Sequence, residues 1–379
     1  MKFSISSKEL LRALTTVSKV IIKRNTLPLL DNALVSVRDD KFFITGSSSE
    51  STLTIPLDMR SMDKAPFRPF CLPVAMLSPI LATLSEQPVE MTIDDTTFLA
   101  TFRYQVGDFS VPAYDGADFP LPKEQEHTYV EFSMPTSVFI PAVKAASVCT
   151  ADDELRPVLN AVALDVSNDG VTFAATSMHM LYKYVYSHGV PFVTKGEPRM
   201  ILLHKKAISA LDAAFSNSEE ISLRHDGRKL IIDADGITLM VTDVEGKYPN
   251  YNSVIPTQSP YHIVMPVRDL INAVKRVALM ANTSTQIVSV RKQDGAVSLR
   301  TEDTDFSRKA NEALHSDDCT LPDGFAIGFR STHFLTMLSA ISTDNVRLEL
   351  TAHDRPIIIR EDAANSSLVE LLMPMRLDA

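Results

Sequence analysis

An internal repeat with a period of about 130 residues constrains this chain more than any other feature. Three segments set it out: Lys2 to Val17 (KFSISSKELLRALTTV), Glu131 to Ala146 (EFSMPTSVFIPAVKAA) and His262 to Val277 (HIVMPVRDLINAVKRV). Phe3, Phe132 and Ile263 align, as do Leu10, Phe139 and Leu270, and then Leu14, Val143 and Val274. Each segment alternates for a few residues and then takes up helical spacing, so each predicts a strand running into an amphipathic helix. A second strand-into-helix pattern recurs at Cys71 to Leu84, Leu202 to Phe215 and Gly328 to Ile341. Alternating strands follow it, beginning at Val89, Ile221 and Val346. Asp-Asp and Asp-Gly pairs at Asp39, Asp94, Asp169, Asp226 and Asp294 supply hairpin chemistry, because short polar side chains tolerate the dihedrals a tight turn needs.

A chain of 379 residues accommodates several domains. The repeat predicts three similar α+β domains, near 1–126, 127–257 and 258–379, each with two helices and antiparallel sheets. Asp118-Phe119-Pro120 and Lys247-Tyr248-Pro249 occupy corresponding places near the ends of the first two. The apolar share, 45 %, supports a core, while no apolar run approaches the roughly 18–20 residues that span a bilayer. The N-terminus has no signal-peptide pattern. Cys71, Cys149 and Cys319 are odd in number and far apart, so they imply neither a disulfide framework nor a zinc site. A reducing, cytoplasmic setting is expected.

The net charge of −10 opposes any nucleic-acid binding that rests on bulk electrostatics. Positive charge must then be local, or retention must not depend on affinity. At 100° per residue, Leu10, Leu14, Val17 and Ile21 fall on one side of the first helix and Lys8, Arg12 and Lys19 on the other. In the third repeat Leu270, Ile271, Val274 and Val277 oppose Arg268, Lys275 and Arg276. Lys144, and Lys205 with Lys206, extend the pattern into the second repeat. The second helices of repeats one and three carry no basic residue. Basic groups on helix surfaces reach phosphates rather than base edges, so they hold a duplex without reading its sequence.

Against these features the chain resembles a known family. Leu371 to Leu377 (LLMPMRL) is similar to the Met-Pro-Met-Arg-Leu ending of the bacterial DNA polymerase III beta subunits, the beta sliding clamps. Met1 to Ile5, Leu27 to Asn32 (LPLLDN), Ala175 to Lys183 (ATSMHMLYK) and Tyr248 to Pro256 (YPNYNSVIP) resemble further signatures, so the resemblance spans the whole chain. It implies the DNA clamp fold, closed as a head-to-tail homodimer into a pseudo-sixfold ring around double-stranded DNA. It implies a processivity factor in DNA replication, with no catalysis and no cofactor. The implied partners are the DNA polymerase III catalytic subunit, a clamp loader, and other polymerases and repair proteins that carry clamp-binding motifs.

The resemblance also implies a peptide pocket built from Leu159, Thr176, His179, Leu181, Pro249, Val254, Thr332, Leu371, Met373, Pro374, Met375 and Leu377, with Arg376 beside it. Ser177, Met178 and Met180 depart from the family pattern around the histidine, which bears on motif preference. The dimer seam would bring Phe109 and Val111 against Leu279 and Met280 of a second copy. Arg24 and Arg156 match loop arginines that touch DNA, although Pro157 and Val158 replace the aromatic residues that usually follow the latter.

The competing reading is an enzyme. No HExxH, P-loop, GxGxxG or GxSxG pattern occurs. The pairs Asp39–Asp40 and Asp94–Asp95 could imitate metal-binding carboxylates, but both stand at hairpin tips. His179 has no nucleophile placed beside it by sequence. A repeat-built scaffold that binds proteins and no DNA is the third reading, which the basic helix faces oppose.

Overall fold

The computed structural model describes every residue except 23–24, 26, 64–65, 124–126, 188–191, 317, 365 and 378–379. Its helices are α1 (Ser7–Val17), α2 (Val74–Ala82), α3 (Thr136–Ser147), α4 (Ile208–Phe215), α5 (Val267–Ala278) and α6 (Ser331–Leu338). Every strand pairing is antiparallel among the described residues, so the α+β expectation of six helices and antiparallel sheets holds.

The repeat is visible as a recurring frame. Strand Lys2–Ser6 lies between Pro88–Ile93 and Met59–Ser61. Val130–Pro135 lies likewise between Glu220–His225 and Val193–Gly196, and Tyr261–Pro266 between Asn345–Leu350 and Asp318–Cys319. Where each central strand turns into its helix, the first helical amide donates to a carbonyl just before the neighbouring strand. The bonds are Ser7 to Gln87 (2.9 Å), Thr136 to Glu219 (3.0 Å) and Val267 to Asp344 (2.9 Å). These bonds satisfy donors that a helix start otherwise leaves open. The aligned apolar residues all point inward: Leu10, Phe139, Leu270, Leu14, Val143 and Val274 are buried. The hairpin signals hold as well. Asp39 and Asp40 (φ 48° and 60°), and Asp294 with Gly295 (φ 52° and 79°), take the two left-handed positions of a two-residue turn matched to strand twist.

Two compact units are present: Met1–Pro141 with Val190–Val244, and Ala142–Gly189 with Glu245–Ala379. The middle repeat therefore contributes to both. The reason is main-chain pairing. In the first unit, Ser51–Pro56 pairs with Ile237–Thr242 inside a ten-stranded sheet. In the second, Met180–Ser187 pairs with Leu368–Leu372. The first unit also holds a five-stranded sheet that ends on strand Gly107–Pro112, and the second a four-stranded sheet that ends on strand Arg308–Leu314. Among the described residues no helix is long and apolar enough to cross a membrane, and all three cysteines are free.

One core residue breaks the apolar rule. Glu370 is fully buried on strand Leu368–Leu372, between Tyr182 and Ile359, and neither carboxyl oxygen has a hydrogen-bond partner among the described residues. Burial, and secondarily the charge of Glu361, push its carboxyl well above the usual carboxylate range. A raised folded-state pKa gives stability that is full below the unfolded pKa, about 4.3, and is lost as pH rises towards the folded value. Glu370→Gln removes that loss. Its melting temperature should match the parent near pH 4 and exceed it by a growing margin up to pH 8. Parallel melting profiles across that range would contradict the buried-acid assignment.

Candidate peptide groove and charged faces

The pocket residues implied by the family resemblance all belong to the second compact unit. Strand pairing brings two of them together: Leu181 stands opposite Leu371, next to Met180 opposite Leu372. The frame continues past the strands. Met373 N–H donates to the His179 carbonyl (2.9 Å), and Met375 N–H donates to the Gly328 carbonyl (2.7 Å). The chain end thus lies across strand Ala326–Arg330. A Cβ at Gly328 would lie 3.0 Å from the Met375 carbonyl oxygen and would push the Leu377 side-chain end (2.6 Å) aside, so the absent side chain of glycine lets the chain end pack closely here. The loop before His179 is pinned from both sides. Thr176 Oγ1 donates to the Met180 carbonyl (2.8 Å) and accepts from Met178 N–H (3.0 Å), while Thr176 N–H donates to Tyr248 Oη (3.1 Å). Met178 takes φ 72° there.

Burial sorts the set. Leu159, Leu181 and Leu371 are core residues, at most 3 % exposed, and Thr176 is nearly as deep. These four belong to the packed core. His179, Val254, Thr332, Met373 and Arg376 are exposed, and Pro249, Pro374, Met375 and Leu377 are half-buried. Exposed methionine and valine on a rigid floor make a deformable apolar surface. Pro374 to Leu377 also border a cleft of about 890 Å³ whose further walls include Arg291, Phe325 and His353.

The structure adds His333, which sequence reading passed over. Its ring lies 6.0 Å from that of His179. Burial, then the charges of Arg330 and His179, hold His333 below the usual imidazole range, so it is neutral at neutral pH. No local pattern marked it, because the first turn of α6 is polar throughout, at Ser331, Thr332 and His333.

The charged faces need corrections. α1 ends at Val17, so Lys19 and Ile21 lie past the helix. Lys205 and Lys206 form a 3-10 turn ahead of α4 rather than part of it. Arg12 is held by Glu9 through both Nε (2.9 Å) and a terminal nitrogen (2.8 Å), Arg156 pairs with Asp153 (2.7 Å), and Arg276 is bidentate to Glu312. Their charges are largely compensated locally. Lys8, Lys19, Arg268 and Lys275 are exposed and have no carboxylate within ion-pair distance among the described residues. Lys144 is exposed near the end of α3. Arg24 lies outside the described residues.

At the expected seam, Val111 is buried and Phe109 stacks on Phe102 (5.0 Å), because alternate residues of a strand share a face and this face packs inward. What Gly107–Pro112 offers outward is its backbone edge, like Arg308–Leu314 in the other unit. Leu279 and Met280, just past α5, are 73 % and 40 % exposed.

The carboxylates of the enzyme reading have structural work. Asp94 Oδ1 accepts from Thr96 N–H, Thr97 N–H and Thr97 Oγ1 (3.0, 2.7 and 2.8 Å), and these bonds hold its carboxyl below the usual range. Asp39 and Asp40 are the turn residues described above. No cluster of three or more potential metal ligands occurs among the described residues.

Three models of one family match successive stretches of the chain: the DNA polymerase III beta subunit N-terminal domain over residues 1–123, its central domain over 133–250 and its C-terminal domain over 252–376. The chain is 23 % identical over 397 residues to a beta sliding clamp of Synechocystis and 24 % over 388 residues to that of Escherichia coli, covering all of both chains in each case. Among solved structures it is similar to a sliding clamp of Pseudomonas aeruginosa (TM-score 0.90, 22 % identity) and to the DNA polymerase sliding clamp of Bacillus subtilis (TM-score 0.89, 21 % identity), again with full coverage of both chains.

The burial pattern separates floor from rim by experiment. Leu181→Ala should cost about 2–5 kcal/mol in denaturant unfolding, as core truncations do. Met373→Ala should leave the unfolding free energy within about 0.5 kcal/mol of the parent. Equal losses in the two variants would place Met373 in the core and remove it from the rim.

Proposed function

Because the chain belongs to the family of DNA polymerase III beta subunits, we propose that it is a sliding clamp of DNA replication, a processivity factor that performs no chemistry of its own. Two copies close head to tail into a ring around duplex DNA. The repeats near 1–126, 127–257 and 258–379 serve as its three domains, acting in the cytoplasm. The observation that carries this reading is the threefold strand–helix frame, matched in order by three models of one family along nearly the whole chain. Retention by a ring is topological, so a net charge of −10 is no obstacle. It keeps the remaining surface from adhering to phosphate.

The two open sheet edges support closure. Gly107–Pro112 of one copy and Arg308–Leu314 of the next each present unpaired backbone groups, and a heterologous contact of this kind forms a ring when its rotation closes. Exposed Leu279 and Met280 would be covered at that seam. Lys8, Lys19, Arg268 and Lys275, with Lys144, supply weak phosphate contacts that permit sliding. Arg12, Arg24, Arg156, Lys205 and Arg276 are assigned the same role, with Arg12, Arg156 and Arg276 weaker because of their carboxylate partners. The rim of Met373, Val254, His179 and Pro374 over its leucine floor takes the short motif of a polymerase or repair protein. A tethered polymerase then stays at high local concentration near the primer end. A loader ATPase opens one seam to place the ring.

The decisive test is retention against DNA topology. Protein loaded on nicked circular DNA by its loader should stay on circles and be lost once the circles are linearised. Equal loss from both forms would remove the ring and leave a scaffold that binds proteins alone. Charge reversal refines the lining. Lys8, Lys19 and Lys275 changed together to Glu should lower loading severalfold more than Arg276→Ala, whose charge Glu312 already offsets; the reverse ranking would relocate the DNA path. In the groove, Met373→Ala should weaken a polymerase-derived motif peptide by about tenfold in a titration, and unchanged affinity would sink the groove assignment.

A further inference from the structure

The repeat places a second copy of the groove's backbone frame in the first compact unit. There Thr52 pairs with Met240 as Leu181 pairs with Leu371. Thr242 N–H donates to the Glu50 carbonyl (2.8 Å) as Met373 does to His179, and Val244 N–H donates to the Leu202 carbonyl (3.1 Å) as Met375 does to Gly328. Ser47 stands where Thr176 stands, Ser49 where Met178 stands, and the Pro120 segment where the Pro249 segment stands. The fold is the same at both places, and the chemistry is opposite.

A cleft of about 500 Å³ opens along this frame. Ser47, Ser48, Ser49, Thr52 and Thr242 line it; the buried Ser47 and Thr52 hydroxyls bond each other (2.7 Å) and Ser48 Oγ donates to the Ser51 carbonyl (3.2 Å), so a ligand meets a polar wall whose cations are its main anchors. Lys123, Arg228 and Lys229 bring three cations. The single acid in the wall, Asp226, is 4 % exposed and turns its Oδ1 to the Arg228 and Lys229 amides (2.9 and 2.7 Å). Lys229 Nζ is held by the Lys123 carbonyl (2.8 Å), which fixes one side of the mouth. Lys123 and Arg228 are exposed, with no carboxylate partner among the described residues. Glu50, at the edge, is paired with Lys206 (3.7 Å). Below the cleft, buried His225 contacts Asp243 Oδ2 (3.1 Å), and Asp243 Oδ1 accepts Leu202 N–H (2.7 Å), so the frame is rigid. Pro120 and Pro122 give the remaining wall a fixed extended course.

We propose that this cleft is a second docking site, for an acidic peptide segment of a partner protein. The cations select an anion. The frame, shared with the apolar groove, selects an extended chain. That peptide character rests on the groove reading above, whereas the anionic character rests on the cleft's own side chains. A clamp so built carries two unlike sockets on one repeated framework, so two partners could bind one subunit without competing.

The test is a titration of the full-length protein with a fluorescent peptide rich in Glu and Asp, read by anisotropy. Saturable binding is expected, weakening by about tenfold or more as salt rises from about 0.05 to 0.2 M. Lys123→Glu with Arg228→Glu should abolish it and leave binding of the apolar motif peptide unchanged. Met373→Ala should do the reverse, so the two sites fail separately. Circular dichroism of the double variant confirms folding. No saturable binding, binding that the double charge reversal leaves intact, or full displacement by inorganic phosphate or by a single-stranded oligonucleotide at equal charge would overturn the proposal.

Discussion

Main-chain pairing between the strand that ends one repeat's hairpins and a strand of the next repeat is the constraint on which the rest depends. Thr52 against Met240, and Leu181 against Leu371, are the registers involved. A one-residue slip in either would turn every side chain of the strand to the wrong face. Buried Leu53, Leu239, Leu181 and Leu371 make such a slip costly. These ladders make the middle repeat contribute to both compact units. They also set the positions of Met373 and Thr242, whose amides close the two groove frames.

From that frame the division between rigid and adaptable surface follows. Leu159, Leu181 and Leu371 sit in the core, whereas Met373, Val254 and His179 are exposed. A floor that does not move lets the rim adapt to different short motifs without loss of fold. The same frame with serine, threonine and lysine in place of methionine and leucine gives a polar cleft. Function here is set by what is grafted on the repeat rather than by the repeat itself.

Charge follows a second rule. An arginine beside a carboxylate at helical spacing, as Arg12 is beside Glu9, is compensated within its own turn. That pairing could have been anticipated from the spacing alone. The Arg276–Glu312 pair joins residues 36 apart, and no local pattern announces it. Lys8, Lys19, Arg268 and Lys275 are not paired in this way, since no carboxylate lies within ion-pair distance of them among the described residues. An acidic chain can thus hold a few uncompensated cations at chosen places.

The sequence by itself determined the threefold repeat, the buried face of each first helix and the tight turns, because these depend on periodicity and on residues such as Asp39, Asp40 and Gly295 whose local conformations are limited. It also pointed to the family, through the ending Leu371 to Leu377 together with signatures spread along the whole chain, such as Leu27 to Asn32 and Tyr248 to Pro256. Only the tertiary structure decided which of those residues are exposed. Leu181 and Val111 read as surface candidates by position, yet lie inside, because burial depends on strands brought from far along the chain. It alone placed His333 beside His179, ended α1 before Lys19, and buried Glu370 with no hydrogen-bond partner among the described residues. Local dihedral preference and hydrophobic period act over a few residues and are written in order. Contacts between residues tens to hundreds of positions apart arise only when the sheets have formed.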